Sequence, residues 1–218
     1  MTLETFDRVL HWIKLLNPTG QPETEAYLHL HGIGEPLLNP DIVKMTALAN
    51  KIKPTGFSTN GVLLGEMMVR ALKQANIAYL CISEHDKDIA QRASDLCKKY
   101  NIDHYIQKHF NDDWAGQVDW EQTSVGFQCA HIETGGAHIL WDGRIVTCCV
   151  DTQASPVLGN VYDNEIRHIE IQPIPLCKNC RSNFYWKYRK LQEYSDTLKY
   201  NEKEKMFEQW LIEMRGKT

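Results

Sequence analysis

No stretch of this chain approaches the roughly 18 apolar residues that a membrane-spanning helix needs, so no membrane partner is expected. The opening Met1-Thr2-Leu3-Glu4-Thr5-Phe6-Asp7 has acidic flanks and no apolar core, unlike a secretory signal, and a cytoplasmic protein is expected. An excess of positive charge is also missing. Lysine and arginine number 24 against 28 acidic residues, a formal net charge of -4. Neutralising phosphates takes a basic stripe, so no nucleic-acid partner is expected. Internal repeats and low-complexity tracts are absent. The 43% hydrophobic content is that of a globular protein. At 218 residues the chain can bury about 70% of its unfolded surface and needs no metal or disulfide merely to fold.

Cysteine, by contrast, is plentiful. There are seven, and Cys129, Cys148, Cys149, Cys177 and Cys180 crowd into the second half, while Cys81 and Cys97 stand apart and read as structural. Without a secretory signal, clustered thiols point to metal or redox chemistry rather than disulfides.

The first half reads as alternating helices and strands. Phe6, Val9, Leu10, Ile13 and Leu16 recur at helical spacing over 4–16, and Asn17-Pro18-Thr19-Gly20 ends the run. Residues 26–31 alternate like a strand. Asn39-Pro40-Asp41 opens a helix that reaches about Lys53. Residues 56–58, 77–82 and 102–110 read as further strands, with helices over 65–75 and 87–100 between them. This alternation predicts an α/β fold with a parallel sheet. About four strands are too few for a closed barrel, so a partial (β/α) barrel is expected over 1–111.

In such folds ligands sit at the carboxyl ends of the strands, which directs attention to three loops. The first is His31-Gly32-Ile33-Gly34-Glu35-Pro36-Leu37, where two glycines let a ligand approach the backbone, and Glu35 and exposed carbonyls could accept from an ammonium group. A tight strand-to-helix turn reads equally well. The second is Ser58-Thr59-Asn60-Gly61, polar and placed before a helix. The third is Ser83-Glu84-His85-Asp86, where Ser83 or Asp86 could simply cap the next helix.

The pattern changes near residues 111–116. Ala137 to Trp141, Asp142-Gly143 and Arg144 to Cys149 read as a β-hairpin, and residues 183–218 as an amphipathic C-terminal helix. Cys177-Lys178-Asn179-Cys180 offers two thiolates to one metal centre, and Cys129 and Cys148 can complete four ligands. Cys148 and Cys149, as strand neighbours, would point to opposite faces, and the Gly143-x4-Cys148 spacing selects Cys148. Zinc and a [4Fe–4S] cluster both accept four thiolates. His131 is a further candidate ligand, and His29 and His31 could form a zinc pair or simply a strand's polar face.

Taken together, Leu30-His31-Gly32-Ile33-Gly34-Glu35-Pro36-Leu37-Leu38-Asn39-Pro40-Asp41, Ser58-Thr59-Asn60-Gly61 and Ile82-Ser83 resemble the core of radical S-adenosylmethionine (SAM) enzymes. The resemblance implies that Gly32, Gly34, Glu35 and Pro36 bind the methionyl amino group of SAM, with Thr59, Asn60 and Ser83 near the cofactor. Cys129, Asp142-Gly143, Cys148-Cys149-Val150-Asp151, Leu158-Gly159-Asn160 and the Cys177/Cys180 pair are similar to the SPASM or shortened twitch extension of that family. This implies an auxiliary [4Fe–4S] cluster on Cys129, Cys148, Cys177 and Cys180 in a domain over 112–182. The full SPASM pattern has seven cysteines and two clusters; five here imply one at most.

The family's Cys-x3-Cys-x2-Cys motif, which ligates the SAM-cleaving cluster, does not occur in these 218 residues. An amino-terminally truncated or chemically silent relative is therefore expected, and no catalytic residue is assigned. Intact relatives with this extension often modify a peptide or protein. The alternative is a non-catalytic interaction module holding zinc or a cluster.

Overall fold

The computed structural model describes residues 1–16, 27–108, 138–151, 153–163, 174 and 176. The expected boundary near 111–116 and the C-terminal helix over 183–218 lie outside the described residues.

The first half contains α1 (Leu3–Leu16), β1 (Leu28–His29), α2 (Ile42–Ala49), β2 (Thr55–Thr59), α3 (Glu66–Gln74), β3 (Tyr79–Glu84), α4 (Lys87–Lys99) and β4 (His104–Lys108). The four strands form one sheet in the order β1-β2-β3-β4, every pair parallel. This is the expected α/β fold. The elements differ from the sequence reading mainly at their ends. The first strand shrinks to two residues, because only Leu28 and His29 pair with Thr55 and Gly56.

Pairing register divides the sheet into two faces. Phe57, Leu80, Ile82 and Ile106 face the helices, packing with Val69 and Leu72 of α3 and Ala90, Ala93 and Cys97 of α4. The other face carries a different chemistry. His29 is level with Gly56 and Tyr79, Ser58 with Cys81 and Tyr105, and Ser83 with Gln107. An apolar face against helices and a polar, aromatic opposite face are what the inner wall of a partial barrel requires.

The third loop resolves as a cap. Asp86 Oδ1 accepts from the backbone N–H groups of Asp88 and Ile89, at 2.9 and 3.0 Å, and starts α4. Ser83 is not in that loop, since β3 continues to Glu84.

A small antiparallel sheet follows, in the order β5 (His138–Ile139), β6 (Arg144–Val146), β7 (Val157–Asn160). The β5–β6 turn is built on Gly143, whose φ of +89° suits glycine. A Cβ there would also stand 2.7 Å from Val161 Cγ2. The hairpin packs on α1. Val9 and Trp12 of α1 form a core with Ile145 and Val161, and Trp12 Nε1 donates to the Val161 carbonyl at 2.9 Å. Phe6 and Leu10, on another stripe of the same helix, pack with Met45 and Ala49 of α2.

The chain divides into two units, one of residues 1–111 and 137–170, the other of 112–136 and 171–218. The hairpin, grouped with 112–182 in the sequence reading, belongs to the same unit as the parallel sheet. Among the described residues no helix is long and apolar enough to cross a membrane.

Candidate functional site

The first two loops meet through one carboxylate. Glu35 Oε1 accepts from the Leu37 backbone N–H at 3.0 Å and from Thr59 Oγ1 at 2.8 Å. Its other oxygen, Oε2, accepts from the Asn60 backbone N–H at 2.8 Å. Three of about four lone-pair sites are thus used inside the protein. Glu35 fixes the loop after β1 to the end of β2, with room for only one further donor on its side chain. Thr59 Oγ1 also accepts from the Gly61 N–H, and Asn60 Oδ1 from the Val62 N–H, so both polar side chains shape the second loop.

Gly34 holds φ at +111°, where a side chain would strain the backbone. A Cβ added at Gly32 or Gly34 would meet no atom within 4 Å, so both glycines border open space. Pro36 opens the short 3-10 turn Pro36–Leu38, with Glu35 as its cap. The structure therefore brings Glu35, Pro36, Thr59 and Asn60 together beside an open glycine-lined edge. Ser83 lies two strands from β1 on the inner face, and among the described residues no hydrogen bond joins it to that group.

His31 precedes this loop. Its Nδ1 accepts from the Ser58 backbone N–H at 3.1 Å, so the neutral ring carries its proton on Nε2. Although the residue as a whole remains exposed, the ring's local burial, then the neighbouring His29, lowers its pKa to about 4. One nitrogen is occupied and the other protonated, so His31 is no ready metal ligand at neutral pH. His29 Nδ1 is hydrogen-bonded to the Tyr79 hydroxyl instead. Among the described residues no three His, Cys, Asp or Glu side chains are arranged to hold a metal ion. The paired histidines are thus part of an aromatic wall, in which Tyr79 also meets Tyr27 edge-on and stacks with Tyr105.

Of the four expected cluster ligands, Cys148 is described, while Cys129, Cys177 and Cys180, like His131, lie outside the described residues. The expected strand alternation of Cys148 and Cys149 does not hold. Strand β6 ends at Val146, and the chain turns, with the Asp151 N–H donating to the Cys148 carbonyl at 3.4 Å. The Cys148 thiol is half-buried, and its pKa is pushed up by a hydrogen bond with the Cys149 thiol and then by burial. Asp151, a buried carboxylate, shapes the loop that follows this turn. It accepts from the N–H groups of Gln153, Ala154 and Ser155 at 3.0, 3.1 and 2.8 Å. Thr147, beside Cys148, is 3% exposed, and its Oγ1 is buried with no hydrogen-bond partner. A half-buried thiol beside an unused hydroxyl, just ahead of a loop braced by Asp151, fits a thiolate-held sulfide cluster.

Cys81 and Cys97 are structural, as expected. Cys81 Sγ donates to Gln107 Oε1 at 3.1 Å, and Cys97, on the buried face of α4, has its thiol pKa pushed up to about 11 by burial.

Residues 129–181 match the SPASM family, described as an iron-sulfur cluster-binding domain. The fold matches a crystal structure of BtrN in complex with AdoMet and 2-DOIA. That match has a TM-score of 0.65 and 17% identity, and covers 83% of this chain and 80% of that one. A second BtrN structure, in an open conformation, matches with a TM-score of 0.54 and 16% identity over the same shares. No curated protein matches the sequence.

The chain thus resembles SPASM iron–sulfur domains over residues 129–181 and BtrN in fold. The SPASM match spans all four expected cluster ligands, Gly143 and Asp151. Sequence reasoning missed the bracing roles of Glu35 and Asp151. For Asp151 a signal existed, since Asp followed two to four residues later by donors suits an Asx-type turn.

Proposed function

We propose that this chain is the cofactor-binding half-barrel and auxiliary-cluster portion of a radical SAM/SPASM enzyme. Cys129, Cys148, Cys177 and Cys180 hold one [4Fe–4S] cluster. The loop of Gly32, Gly34, Glu35 and Pro36 receives the amino end of SAM, with Thr59, Asn60 and Ser83 on the neighbouring strand ends. The observation that carries this reading is the coincidence of the two parts. A Gly-x-Gly-Glu-Pro loop is tied by Glu35 to the end of the next strand, and a cluster-binding match begins at Cys129 and closes on the Cys177/Cys180 pair.

When bound, the cluster supplies one-electron transfer or an anchor for substrate. The chain's own residues do the positioning. The open backbone at Gly32 and Gly34 lets the ammonium group of the cofactor reach loop carbonyls. Glu35 keeps those carbonyls in place against β2 and offers its one remaining acceptor site. His31, neutral at pH 7, adds no positive charge beside a cationic sulfonium cofactor. Asp151 fixes the loop that follows Cys148 and Cys149. Reductive cleavage of SAM would use a Cys-x3-Cys-x2-Cys set that these 218 residues do not contain. The substrate class we propose is a peptide or protein.

The test is anaerobic reconstitution with iron and sulfide. A brown product with about four irons per chain supports the reading. Colourless protein with a single zinc supports a zinc-holding interaction module instead. Cys177→Ser and Cys180→Ser should each lower bound iron; full iron content in both refutes the ligand assignment.

A further inference from the structure

A hydroxyl buried without a hydrogen-bond partner costs about 1–3 kcal/mol relative to a satisfied one. Thr147 carries such a group. The residue is 3% exposed, its Oγ1 is buried, and among the described residues no atom accepts from it or donates to it. Buried polar atoms nearly always have a partner, so one left over calls for a group outside the polypeptide. Its place in the chain narrows what that group is. Thr147 directly precedes Cys148, which the proposed function makes a cluster ligand. Strand β6 has ended at Val146, so the pleat no longer forces neighbouring side chains to opposite sides. Thr147 directly follows the paired strand β6, the turn after it closes with the Asp151 N–H donating to the Cys148 carbonyl at 3.4 Å, and the Asp151 carboxylate holds the next residues through three N–H bonds.

We propose that the Thr147 hydroxyl donates a hydrogen bond to a sulfur atom of the iron–sulfur centre held through Cys148, and so tunes its redox potential. Thr147 is a positioning and tuning residue, not a ligand; no bond is made or broken and no proton is transferred. This inference rests on the proposed function, because it needs the cluster. Reduction adds negative charge to the sulfurs, so a donor aimed at them stabilises the reduced state and raises the potential. The methyl of the same side chain fills the buried site, which makes valine the natural probe: it keeps the volume and deletes only the donor.

The experiment uses the full chain, reconstituted anaerobically, as wild type, Thr147→Val and Thr147→Ser. The readouts are iron per chain, midpoint potential by spectroelectrochemical titration, and iron–sulfur stretching frequencies by resonance Raman in H2O and D2O. The expected result is unchanged iron in Thr147→Val, a more negative potential, and loss of a solvent-isotope shift that Thr147→Ser retains. A potential and isotope shift in Thr147→Val equal to wild type overturn the inference while leaving the cluster assignment intact. Equal changes in Thr147→Ser and Thr147→Val also overturn it, since packing would then be the cause. If Thr147→Val fails to retain iron, Thr147→Ala is read against Thr147→Ser in the same way. Wild-type protein that takes up no iron sinks the proposed function, and this inference with it.

Discussion

Glu35→Gln changes one atom type in a side chain that joins two loops, and its effect can be worked from three hydrogen bonds. The wild-type carboxylate accepts from Leu37 N–H and Thr59 Oγ1 on one oxygen and from Asn60 N–H on the other. Glutamine has one acceptor oxygen and one amino group. With its oxygen toward Leu37 and Thr59, the amino group confronts the Asn60 N–H, donor against donor. With the amide reversed, the Thr59 hydroxyl can turn and accept, but the Leu37 N–H is stranded. Either way one backbone donor loses a charge-assisted bond, worth about 1.5–3 kcal/mol. At about 2 kcal/mol, a protein of this length should lose about 4–8 °C in Tm. The assay is urea denaturation and thermal melting of wild type, Glu35→Gln and Glu35→Ala. Glu35→Ala, which removes all three bonds, should be the least stable. Binding of S-adenosylhomocysteine, measured by calorimetry, should weaken in the same order, because the loop carbonyls lose their support. A Glu35→Gln protein within about 0.5 kcal/mol of wild type and equal in ligand affinity would refute the argument that this carboxylate braces the site.

Three more expectations concern other parts of the molecule. The His31 pKa of about 4 lies below the ordinary value near 6.5, so the unfolded chain binds the extra proton first. Its stability contribution is complete above pH 6.5 and is lost as pH falls toward 4. An NMR titration should place its midpoint near 4, and His31→Asn should flatten the acid limb of a urea-midpoint profile. Trp12→Phe keeps most of the buried ring but strands the Val161 carbonyl, and should cost about 1–3 kcal/mol in a denaturant titration. Asp151→Ala releases three backbone N–H groups, and should both destabilise the chain by about 2–4 kcal/mol and lower the iron retained after desalting. Unchanged iron in that variant would mean that the Cys148 turn holds its shape without the carboxylate.

The parallel sheet was legible because strands alternate with amphipathic helices and β3 carries the apolar run that burial against helices demands. Tyr79 to Ile82 and Phe57 are obvious in sequence, and so are the polar turns that follow. Asp142-Gly143 marked the hairpin for an equally local reason, the positive φ of its glycine. What escaped was set by contacts far apart along the chain. Nothing near Glu35 announces that its carboxylate will reach Thr59 and Asn60. Nothing near Trp12 announces that its indole will meet the Val161 carbonyl. Strand propensity says where a pleat can run, not that it ends at Val146, where the chain turns and the Asp151 N–H meets the Cys148 carbonyl. The polar Ser-Glu-His-Asp run predicts a loop at Ser83, yet pairing of Ser83 with Gln107 and Glu84 with Lys108 extends the strand through it.

Helix α1 presents one stripe, Phe6 and Leu10, to α2 and another, Val9 and Trp12, to the hairpin. A chimera that grafts this hairpin onto a foreign half-barrel would therefore inherit the wrong landing surface unless the first helix travels with it. Recombination between relatives should be tolerated only where donor segments supply both the helix and residues 138–163, although more than a hundred positions separate them in the gene product.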